Sequence, residues 1–467
     1  MNEKIFDPIT PWEINKYEKA IFPCDAYKLS HRIMYPKNTT NLVCTLVARG
    51  SSKSYNVFKN FVWSLEFSRK IVTKVLSDFE NAVKKIGIEN GKGTVSKIIK
   101  EKIWKVFGFE KLADDYLSVL VDLGNYLLIH NKLPLIIKAK KSNEFMEYQS
   151  ALLTIKGIEN IDKKNAWLIN YFETIFLENI WQHMTSLTIA RNFKKLADNY
   201  ARITADNNDF VKFQCHDFSM RGMSSFETAI YSASAHLQYF QGSDTILGSQ
   251  NAFSVMASEH SVMSADGEEL EFQTYERLID ENPNGILSLV SDTYNIWNVL
   301  DNILPKLKNK ILSRNGKLVI RPDSGNPVEI VCGKKNYSFK DKSTWGVIHY
   351  LDYHFGHKHN KKKFKSLNEK IGIIYGDAVT YEVASNILKN LKNQGWCSDC
   401  IAFGIGATTY QSNTRDTLGF VIKATAIQKE NNNEKKWFNI YKNPITDKNK
   451  KSITGTFEDE PDMVQIY

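Results

Sequence analysis

Residues 318–327, "LVIRPDSGNP", join an apolar run to Arg321, Asp323, Ser324 and Gly325 and then close with a proline. A simple turn between two strands does not need an arginine and an aspartate two residues apart. An arginine side chain binds an anion through paired N–H groups, and a carboxylate is a preferred ligand for Mg²⁺. The segment therefore predicts a loop that holds an anion and a metal ion.

Acidic residues and glycines also follow the other predicted strands of this region. Strands are predicted at 210–218, 285–292, 316–323, 370–377 and 400–406, and they end at Asp217, Asp292, Asp323, Asp377 and Gly404/Gly406. Helix N-caps would explain one or two of these acids, but they do not explain Arg221, His260 and Arg321 beside them. In a β/α barrel the carboxyl ends of the strands meet at one mouth. We expect these groups to form a single site for a phosphorylated, Mg²⁺-bound substrate.

The elements around these loops alternate between strands and helices, which predicts βαβ units and a parallel sheet. Residues 224–240 are predicted as a helix with a capping box between Ser224 and Glu227. Helical spacing also covers 56–122, and the strand 133–140 is expected to share one layer with short strands in 144–158. A helical segment of about 38 residues from 164 is expected to form two helices.

Composition narrows the class of protein. The 467 residues exceed one hydrophobic core, so two domains, or one large barrel with an added layer, are expected. With 42% hydrophobic and 24% charged residues, no 18-residue apolar run and no signal peptide, we expect a cytoplasmic enzyme without a membrane span. The net charge of +9 suits an anionic small molecule, and no nucleic-acid-binding pattern accompanies it.

Several other chemistries are disfavoured. The chain contains no Walker, kinase or Rossmann motif and no clear nucleophile with its base. The six cysteines, including Cys397 and Cys400, are expected to be reduced and mostly structural. The histidine- and lysine-rich segment 354–365 is expected to be a surface loop, and His216 and His236 are expected to lie in the core or to support the site.

Seven motifs, in order, resemble the nicotinamide phosphoribosyltransferase family, whose members are type II phosphoribosyltransferases. They are "HDFSMRGMSSFETAIYSASAHL" (216–237), "GSDT" (242–245), "SEHS" (258–261), "VSDTY" (290–294), "IRPDSGNP" (320–327), "YGDAV" (375–379) and "AFGIGATTYQSNTRD" (402–416). The similarity extends from "DAYKLSHRIMYP" (25–36) to "YKNPITDKNK" (441–450).

The resemblance implies an α/β fold with a β/α barrel-like catalytic domain at 164–419. An α/β open sandwich domain would be built from 1–163 and 420–467, with a helical insertion at about 56–122. It also implies a homodimer with active sites at the interface. The reaction joins nicotinamide to the phosphoribosyl group of phosphoribosyl pyrophosphate, with Mg²⁺ as cofactor and ATP as co-substrate, in NAD salvage.

The resemblance also implies roles for individual residues. Phe218, and Tyr27 of the neighbouring subunit, would sandwich the pyridine ring, and Asp244 would accept its amide N–H. The matching positions that would bind or act on substrate are His260 (phosphorylated by ATP), Asp323, Arg321, Asp292, Arg221, Ser254, Gly376, Asp377, Gly406, Ala407 and Arg415. Asp323 and Asp292 would serve the metal, and Arg49, Lys423 and Lys442 would face phosphates.

Two departures from the family pattern stand out. In "GIGATT" (404–409), Ala407 stands where the family has a third glycine, which bears on the phosphate-binding turn. The chain also ends at "FEDEPDMVQIY", where the family usually continues, which bears on ATP coupling. Two alternatives remain open: a nicotinate phosphoribosyltransferase, and a non-catalytic homologue that binds NAD-related ligands or a protein.

Overall fold

The computed structural model describes residues 9–50, 58–446 and 451–467. The first eight residues, the start of the predicted helical region at 56–57 and the end of the 441–450 motif lie outside the described residues. The chain divides into two compact units, the first comprising Met1–Met184 with Arg415–Tyr467 and the second Thr185–Thr414; the sequence placed the boundaries at 163/164 and 419/420. In the described part of the chain, no helix is long and apolar enough to cross a membrane.

The strands of the described residues are, in chain order, β1 (Thr39–Ala48), β2 (Phe61–Trp63), β3 (Leu135–Lys140), β4 (Asn143–Met146), β5 (Leu153–Gly157), β6 (Cys215–Asp217), β7 (Gly242–Ser243), β8 (Met256–Ala257), β9 (Asn284–Val290), β10 (Asn315–Arg321), β11 (His357–His359), β12 (Lys365–Leu367), β13 (Ile371–Tyr375), β14 (Ile401–Ile405), β15 (Phe420–Asn431), β16 (Glu434–Asn439) and β17 (Met463–Gln465).

The helices are α1 (Lys16–Ile21), α2 (Ala26–Met34), α3 (Leu65–Ile88), α4 (Thr94–Phe107), α5 (Glu110–His130), α6 (Trp167–Thr204), α7 (Phe226–His236), α8 (His260–Met263), α9 (Glu271–Glu281), α10 (Ile296–Asn298), α11 (Leu304–Lys306), α12 (Lys308–Ser313), α13 (Pro327–Cys332), α14 (Val347–Phe355), α15 (Tyr381–Asn393) and α16 (Ala407–Tyr410). A π-helical turn, Val299–Ile303, joins α10 to α11.

The first unit is built on an antiparallel sheet with the strand order β16-β15-β1-β5-β3-β17. Strand β1 lies inside the sheet and every one of its residues is buried. Helices α3, α4 and α5 form the predicted helical region, but it ends at His130 and is preceded by the short strand β2. Strands from both ends of the chain therefore share one sheet, as the family resemblance implies for the open sandwich.

The second unit is a curled parallel sheet with the strand order β7-β6-β14-β13-β10-β9-β8. If the sheet is read as a barrel, its strands follow one another in chain order: β6, β7, β8, β9, β10, β13 and β14, which pairs again with β6. The barrel is open between β7 and β8. A parallel bridge between Gly242 and Phe253 spans part of that opening. Strand β13 is buried along its whole length, as expected for a parallel strand with both faces covered. The predicted β/α barrel-like fold is confirmed.

Some local predictions were wrong. Helix α6 is one helix of 38 residues, not two, because no glycine or proline interrupts it. The predicted strand at 210–218 is a 3₁₀ turn followed by the short strand β6. The capping box lies one residue later than predicted, between Ser225 and Thr228. Strand β4 pairs with β2 in a separate ribbon and does not join the layer of β3 and β5.

Candidate active site

The loops that follow β9, β10 and β13 bring their acidic residues close to one another. An ideal Cβ at Gly376 would lie 3.1 Å from Asp323 Oδ1 and 3.5 Å from Phe218 Cε2. Burial raises the pKa of Asp323; Arg321 and His260 oppose this shift, whereas Asp292 and Asp377 add to it. Asp323 therefore lies within electrostatic reach of Arg321 on its own loop and of three titratable groups on other segments. Of the groups expected to converge, Asp292, Asp323 and Asp377 therefore lie near one another, together with Arg321 and His260.

The "RPDSGNP" loop is held by Asp292 from the neighbouring strand. Asp292 Oδ2 accepts hydrogen bonds from the backbone N–H of Asp323, at 2.9 Å, and from the Ser324 hydroxyl. Asp292 Oδ1 is buried and accepts no hydrogen bond from any described residue. Arg321 donates from Nη2 to the Ser258 carbonyl at 2.8 Å, and its Nε lies 3.3 Å from Asp323 Oδ2.

Two further features shape this loop and the one after β13. The Tyr375 hydroxyl donates to the Gly325 carbonyl at 3.2 Å, and Gly325 has a φ of 87° that favours glycine. Burial, with the nearby carboxylates adding to it, raises the pKa of Tyr375 to about 12, so its hydroxyl stays a donor. Ala378 adopts a φ of 48°, a left-handed conformation that is uncommon for residues other than glycine and costs backbone energy.

The ring of Phe218 rests against the backbone of the neighbouring strands. A Cβ added at Gly404 would lie 2.4 Å from Phe218 Cδ2 and 2.6 Å from Cε2. Such distances are far inside van der Waals contact, so only a glycine at 404 leaves room for the ring. The Phe218 ring centroid lies 4.9 Å from that of His216. One face of Phe218 is thus covered by β14 and β13.

Asp244 follows β7 and is held by two side chains. His216 Nε2 lies 2.8 Å from Asp244 Oδ1, and the Ser254 hydroxyl donates to the same oxygen at 2.6 Å. Burial favours a higher pKa for Asp244, but the hydrogen bonds from His216 and Ser254, together with the charge of Arg321, outweigh it and lower the pKa. The carboxylate is therefore ionised at neutral pH, and both bonds leave its Oδ2 available.

Phe218 and Asp244 border a cavity of about 330 Å³ inside the curled sheet. Its lining includes alternate residues of successive strands, namely Gln214, His216 and Phe218; Ile286 and Ser288; Lys317 and Val319; Gly372 and Ile374. Alternate residues of a strand point to the same face, so these side chains mark the interior face of the barrel. Most of the remaining lining is apolar, including Phe213, Phe253 and Ile373. A flat, largely apolar ring fits such a space.

His260 begins helix α8 and is exposed. Its Nδ1 lies 3.0 Å from the Thr293 hydroxyl, on the loop that also carries Asp292. Glu259 precedes it and accepts a hydrogen bond from Ser261. The histidine predicted to be phosphorylated therefore lies beside the acidic loops, with Nε2 not used by this hydrogen bond.

Comparison with known proteins bears directly on this arrangement. Residues 213–466, which include every one of these loops, match the model of the nicotinate phosphoribosyltransferase (NAPRTase) family. The chain belongs to this family. It is 50% identical over 458 residues to a nicotinamide phosphoribosyltransferase of Mycoplasma pneumoniae, covering 98% of this chain and 99% of that protein.

A more distant relative and two solved structures are also similar to the chain. A nicotinamide phosphoribosyltransferase of Acinetobacter baylyi is 35% identical over 92% of this chain and 86% of its own length. The structure of human nicotinic acid phosphoribosyltransferase has a TM-score of 0.52 at 13% identity, covering 86% of this chain and 74% of that one. Nicotinate-nucleotide pyrophosphorylase from Pyrococcus furiosus gives 0.51 at 14% identity, covering 90% and 79%. At these identities the two structures support the fold alone.

The departure from the family pattern at Ala407 has a local partner. Ala407 begins α16, directly after Gly406, the N-cap of that helix. A Cβ added at Gly222 would lie 2.4 Å from the Cβ of Ala407. The methyl group of Ala407 therefore occupies the space that glycine leaves at 222, next to Arg221 on an exposed turn.

The remaining predicted site residues belong to the first unit. Tyr27 lies on α2 and is 54% exposed. Lys423, on β15, forms an ion pair with Glu173 at 2.5 Å, and Arg415 pairs with Asp416 at 2.7 Å. Arg49 follows β1 and its N–H donates to the Gly419 carbonyl, while the N–H of Lys442 donates to the Ser452 hydroxyl. Their proposed contacts with substrate stay predictions.

Sequence reasoning missed several residues that organise the site. His216 was expected to lie in the core or to support the site, and it does so by holding Asp244. The role of Tyr375 had no signal beyond its position at the end of a strand. Gly404 was predicted only as a strand end, where an isolated glycine often marks a close approach, whereas Gly222 lies in the 3₁₀ turn Met220–Gly222 and carried no such signal. Which group approaches each glycine required the coordinates.

Proposed function

We propose that this protein transfers the phosphoribosyl group of phosphoribosyl pyrophosphate to nicotinamide, giving nicotinamide mononucleotide and pyrophosphate in NAD salvage. The observation that carries the proposal is the pairing of Phe218 and Asp244 at the edge of an apolar cavity, beside the Arg321–Asp323 loop. The two mycoplasmal relatives align with this chain over nearly their whole length, and both are named nicotinamide phosphoribosyltransferase, which supports the same reaction.

Phe218 would provide a stacking surface for the pyridine ring. The ring nitrogen attacks C1 of the ribosyl group, and the ring becomes a cation as the new bond forms. An aromatic face attracts a cation, so stacking strengthens as the reaction proceeds. The nitrogen already carries a lone pair, so attack requires no general base. Catalysis would rest on positioning and charge stabilisation.

Asp244 would select the amide over the acid. Its Oδ1 is occupied by His216 and Ser254, and its Oδ2 can accept the amide N–H. A nicotinate carboxylate at the same place would face an ionised carboxylate of like charge, which disfavours it. Replacing Asp244→Asn removes the charge while keeping the shape. We expect the KM for nicotinamide to rise about tenfold, as for a hydrogen bond that loses its charge, and nicotinate to become a better competitor.

Asp292 and Asp323 would serve Mg²⁺. The buried Oδ1 of Asp292 lacks a hydrogen-bond partner among the described residues, which leaves an acceptor for an ion or its water. No group of three potential ligands is found within the described ranges, and Mg²⁺ commonly binds through one or two carboxylates plus substrate phosphates. When bound, the ion would neutralise charge on the departing pyrophosphate. Arg321 would add positive charge beside it.

The ribose and 5′-phosphate would be bound by Arg221 and by the turns at Gly376–Asp377 and Gly406–Ala407. The predicted site residues of the first unit would reach the active site of the other subunit in a homodimer. Tyr27 of that second subunit would cover the face of the pyridine ring that Phe218 leaves free. Arg49, Arg415, Lys423 and Lys442 would supply positive charge to the phosphates.

His260 would couple the reaction to ATP through a phosphohistidine. His260 is exposed, and the hydrogen bond to the Thr293 hydroxyl uses its Nδ1 and not its Nε2. Both features support this part of the proposal. Incubation with γ-labelled ATP should label the wild type with an acid-labile phosphate and leave His260→Asn unlabelled. Equal labelling of the two proteins would remove His260 from the scheme.

The decisive experiment mixes the purified full-length chain with phosphoribosyl pyrophosphate, Mg²⁺ and either nicotinamide or nicotinate, with and without ATP. Nicotinamide mononucleotide and pyrophosphate should form in equal amounts, and turnover of nicotinate should be far slower. Preference for nicotinate would favour the related acid-specific enzyme. Formation of neither nucleotide under any of these conditions would overturn the proposal and favour a binding protein.

A further inference from the structure

Asp217, at the end of β6, is a fully buried carboxylate. Its Oδ1 accepts hydrogen bonds from the backbone N–H of Ser219 at 3.0 Å and from the Ser219 hydroxyl at 2.6 Å. Its Oδ2 accepts from the hydroxyls of Ser243 at 2.8 Å and Thr245 at 3.0 Å. All four donors are uncharged, and between them they satisfy both carboxylate oxygens.

The two oxygens serve two different loops. Ser219 belongs to the loop after β6, which carries Phe218 and leads to the turn with Arg221. Ser243 and Thr245 flank Asp244 on the loop after β7. The backbone adds a third link, because the N–H of Asp244 donates to the Asp217 carbonyl at 2.9 Å. One carboxylate thus joins the aromatic ring and the carboxylate that border the cavity.

An ordinary structural reason does not account for this residue. Burying a carboxylate is costly unless hydrogen bonds offset the lost solvation, and apolar side chains of similar volume often serve a core equally well. An apolar residue at 217 would not fix the distance between the two loops, because it offers no directional contacts. Four directional hydrogen bonds from two loops do fix it.

We propose that Asp217 is a positioning residue that sets the spacing between the ring of Phe218 and the carboxylate of Asp244, and with it the affinity for the pyridine carboxamide. This inference rests on the proposed function, since it assigns those two side chains to nicotinamide. Asp217 acts through both loops and has no contact with substrate itself.

The two sides of Asp217 can be loosened separately without removing its charge. Thr245→Val deletes one donor to Oδ2, on the Asp244 side, and should raise the KM for nicotinamide about tenfold, the factor expected for one buried hydrogen bond. The KM for phosphoribosyl pyrophosphate should stay within about twofold. Ser219→Ala deletes a donor on the other side and should raise both KM values, because its loop carries Phe218 and leads to Arg221.

Thr204→Val is the matched control. Thr204 is a buried threonine of the same unit whose hydroxyl bonds to the Tyr200 carbonyl and to Ser398, away from the strand ends. It should lower the thermal unfolding temperature about as much as Thr245→Val while leaving both KM values unchanged. If Thr245→Val does not fold, Ser243→Ala removes the other hydroxyl donor to Oδ2 and carries the same expectation.

Two results separate this inference from the proposed function. If the wild type makes no nicotinamide mononucleotide, the proposed function fails, and this inference fails with it. If the wild type is active but Thr245→Val and Ser219→Ala both keep wild-type KM values, only the positioning role is overturned. Calorimetric titration with nicotinamide alone gives a second readout, in which Thr245→Val should weaken binding by the same factor as KM.

Discussion

Gly404 offers the sharpest test of how the site is built. A methyl group at this position would lie 2.4 Å from Phe218 Cδ2 and 2.8 Å from the Cα of Gly376. Carbon atoms in contact are separated by about 3.5–4.0 Å, so the ring would have to retreat by about 1 Å or more. The methyl also meets backbone, which cannot rotate away as a flexible side chain can. Gly404→Ala therefore displaces the surface proposed to hold the pyridine.

The expected magnitudes follow from that displacement. Overpacking a strand interior costs about 1–3 kcal/mol, and the lower entropy of the unfolded alanine chain offsets less than about 1 kcal/mol of this. A misplacement of about 1 Å reduces activity up to about 100-fold. We expect kcat/KM for nicotinamide to fall by about 10- to 100-fold in Gly404→Ala, and the unfolding temperature to drop by a few degrees at most.

Gly372→Ala is the comparison variant, because its added Cβ would meet side chains alone, Lys317 at 3.2 Å and Val319 at 3.7 Å. Those side chains can move, so kcat/KM should fall less than in Gly404→Ala, although Gly372 also lines the cavity. Steady-state formation of nicotinamide mononucleotide at varied nicotinamide concentration measures the effect, and chemical denaturation measures stability. In Phe218→Ala, the stability cost of Gly404→Ala should shrink. A Gly404→Ala enzyme with wild-type KM and kcat would refute the reasoning.

Three more outcomes are expected. Asp323→Asn should abolish turnover yet raise the free energy of unfolding at pH 7. Burial and neighbouring acids raise the pKa of Asp323 in the folded state, so its charged form is costly above that pKa. At pH 3.5, where Asp323 is protonated, denaturation should show a smaller increase in the free energy of unfolding. Burial lowers the pKa values of His349 and His236 to about 4. The free energy of unfolding should therefore be fully present above pH 6.5 and should fall by about 3 kcal/mol for each histidine as the pH drops to 4, because the unfolded chain takes up the proton first. In His349→Gln, denaturant unfolding measured over the same pH range should show a smaller decrease. Glu173→Gln should lower the free energy of unfolding by about 3 kcal/mol, because it leaves Lys28 buried at 3% exposure without its ion pair. Adding Lys28→Met should restore most of that stability. Equal stability of the single and double variants would contradict this reasoning.

The parallel sheet was predictable because its signals are local. The apolar runs "LVI" (318–320) and "IGIIY" (371–375) are each followed within three residues by an acid or a glycine, and strands that alternate with helices favour a parallel sheet. Strand ends Asp292 and Asp323 could be placed at one mouth for the same reason. The length of α6 was misjudged because 38 residues exceed a usual globular helix, although the segment contains no residue that would end it.

The fine geometry of the site could not be predicted in this way. That Phe218 lies over Gly404, or that Asp217 joins the loops at Ser219 and Thr245, depends on which strands are neighbours in the sheet. Strand β6 pairs with β14, which lies far away in sequence. Side-chain contacts across such pairs follow from the closed order of the strands, and a single sequence carries no record of that order.

The contact between Gly222 and Ala407 constrains how such a chain can have evolved. With glycine at 222, alanine fits at 407, because its methyl group occupies the space that a side chain at 222 would fill. Once alanine stands at 407, any side chain at 222 collides with it. The two side chains therefore exclude each other, and a chain with alanine at 407 requires glycine at 222.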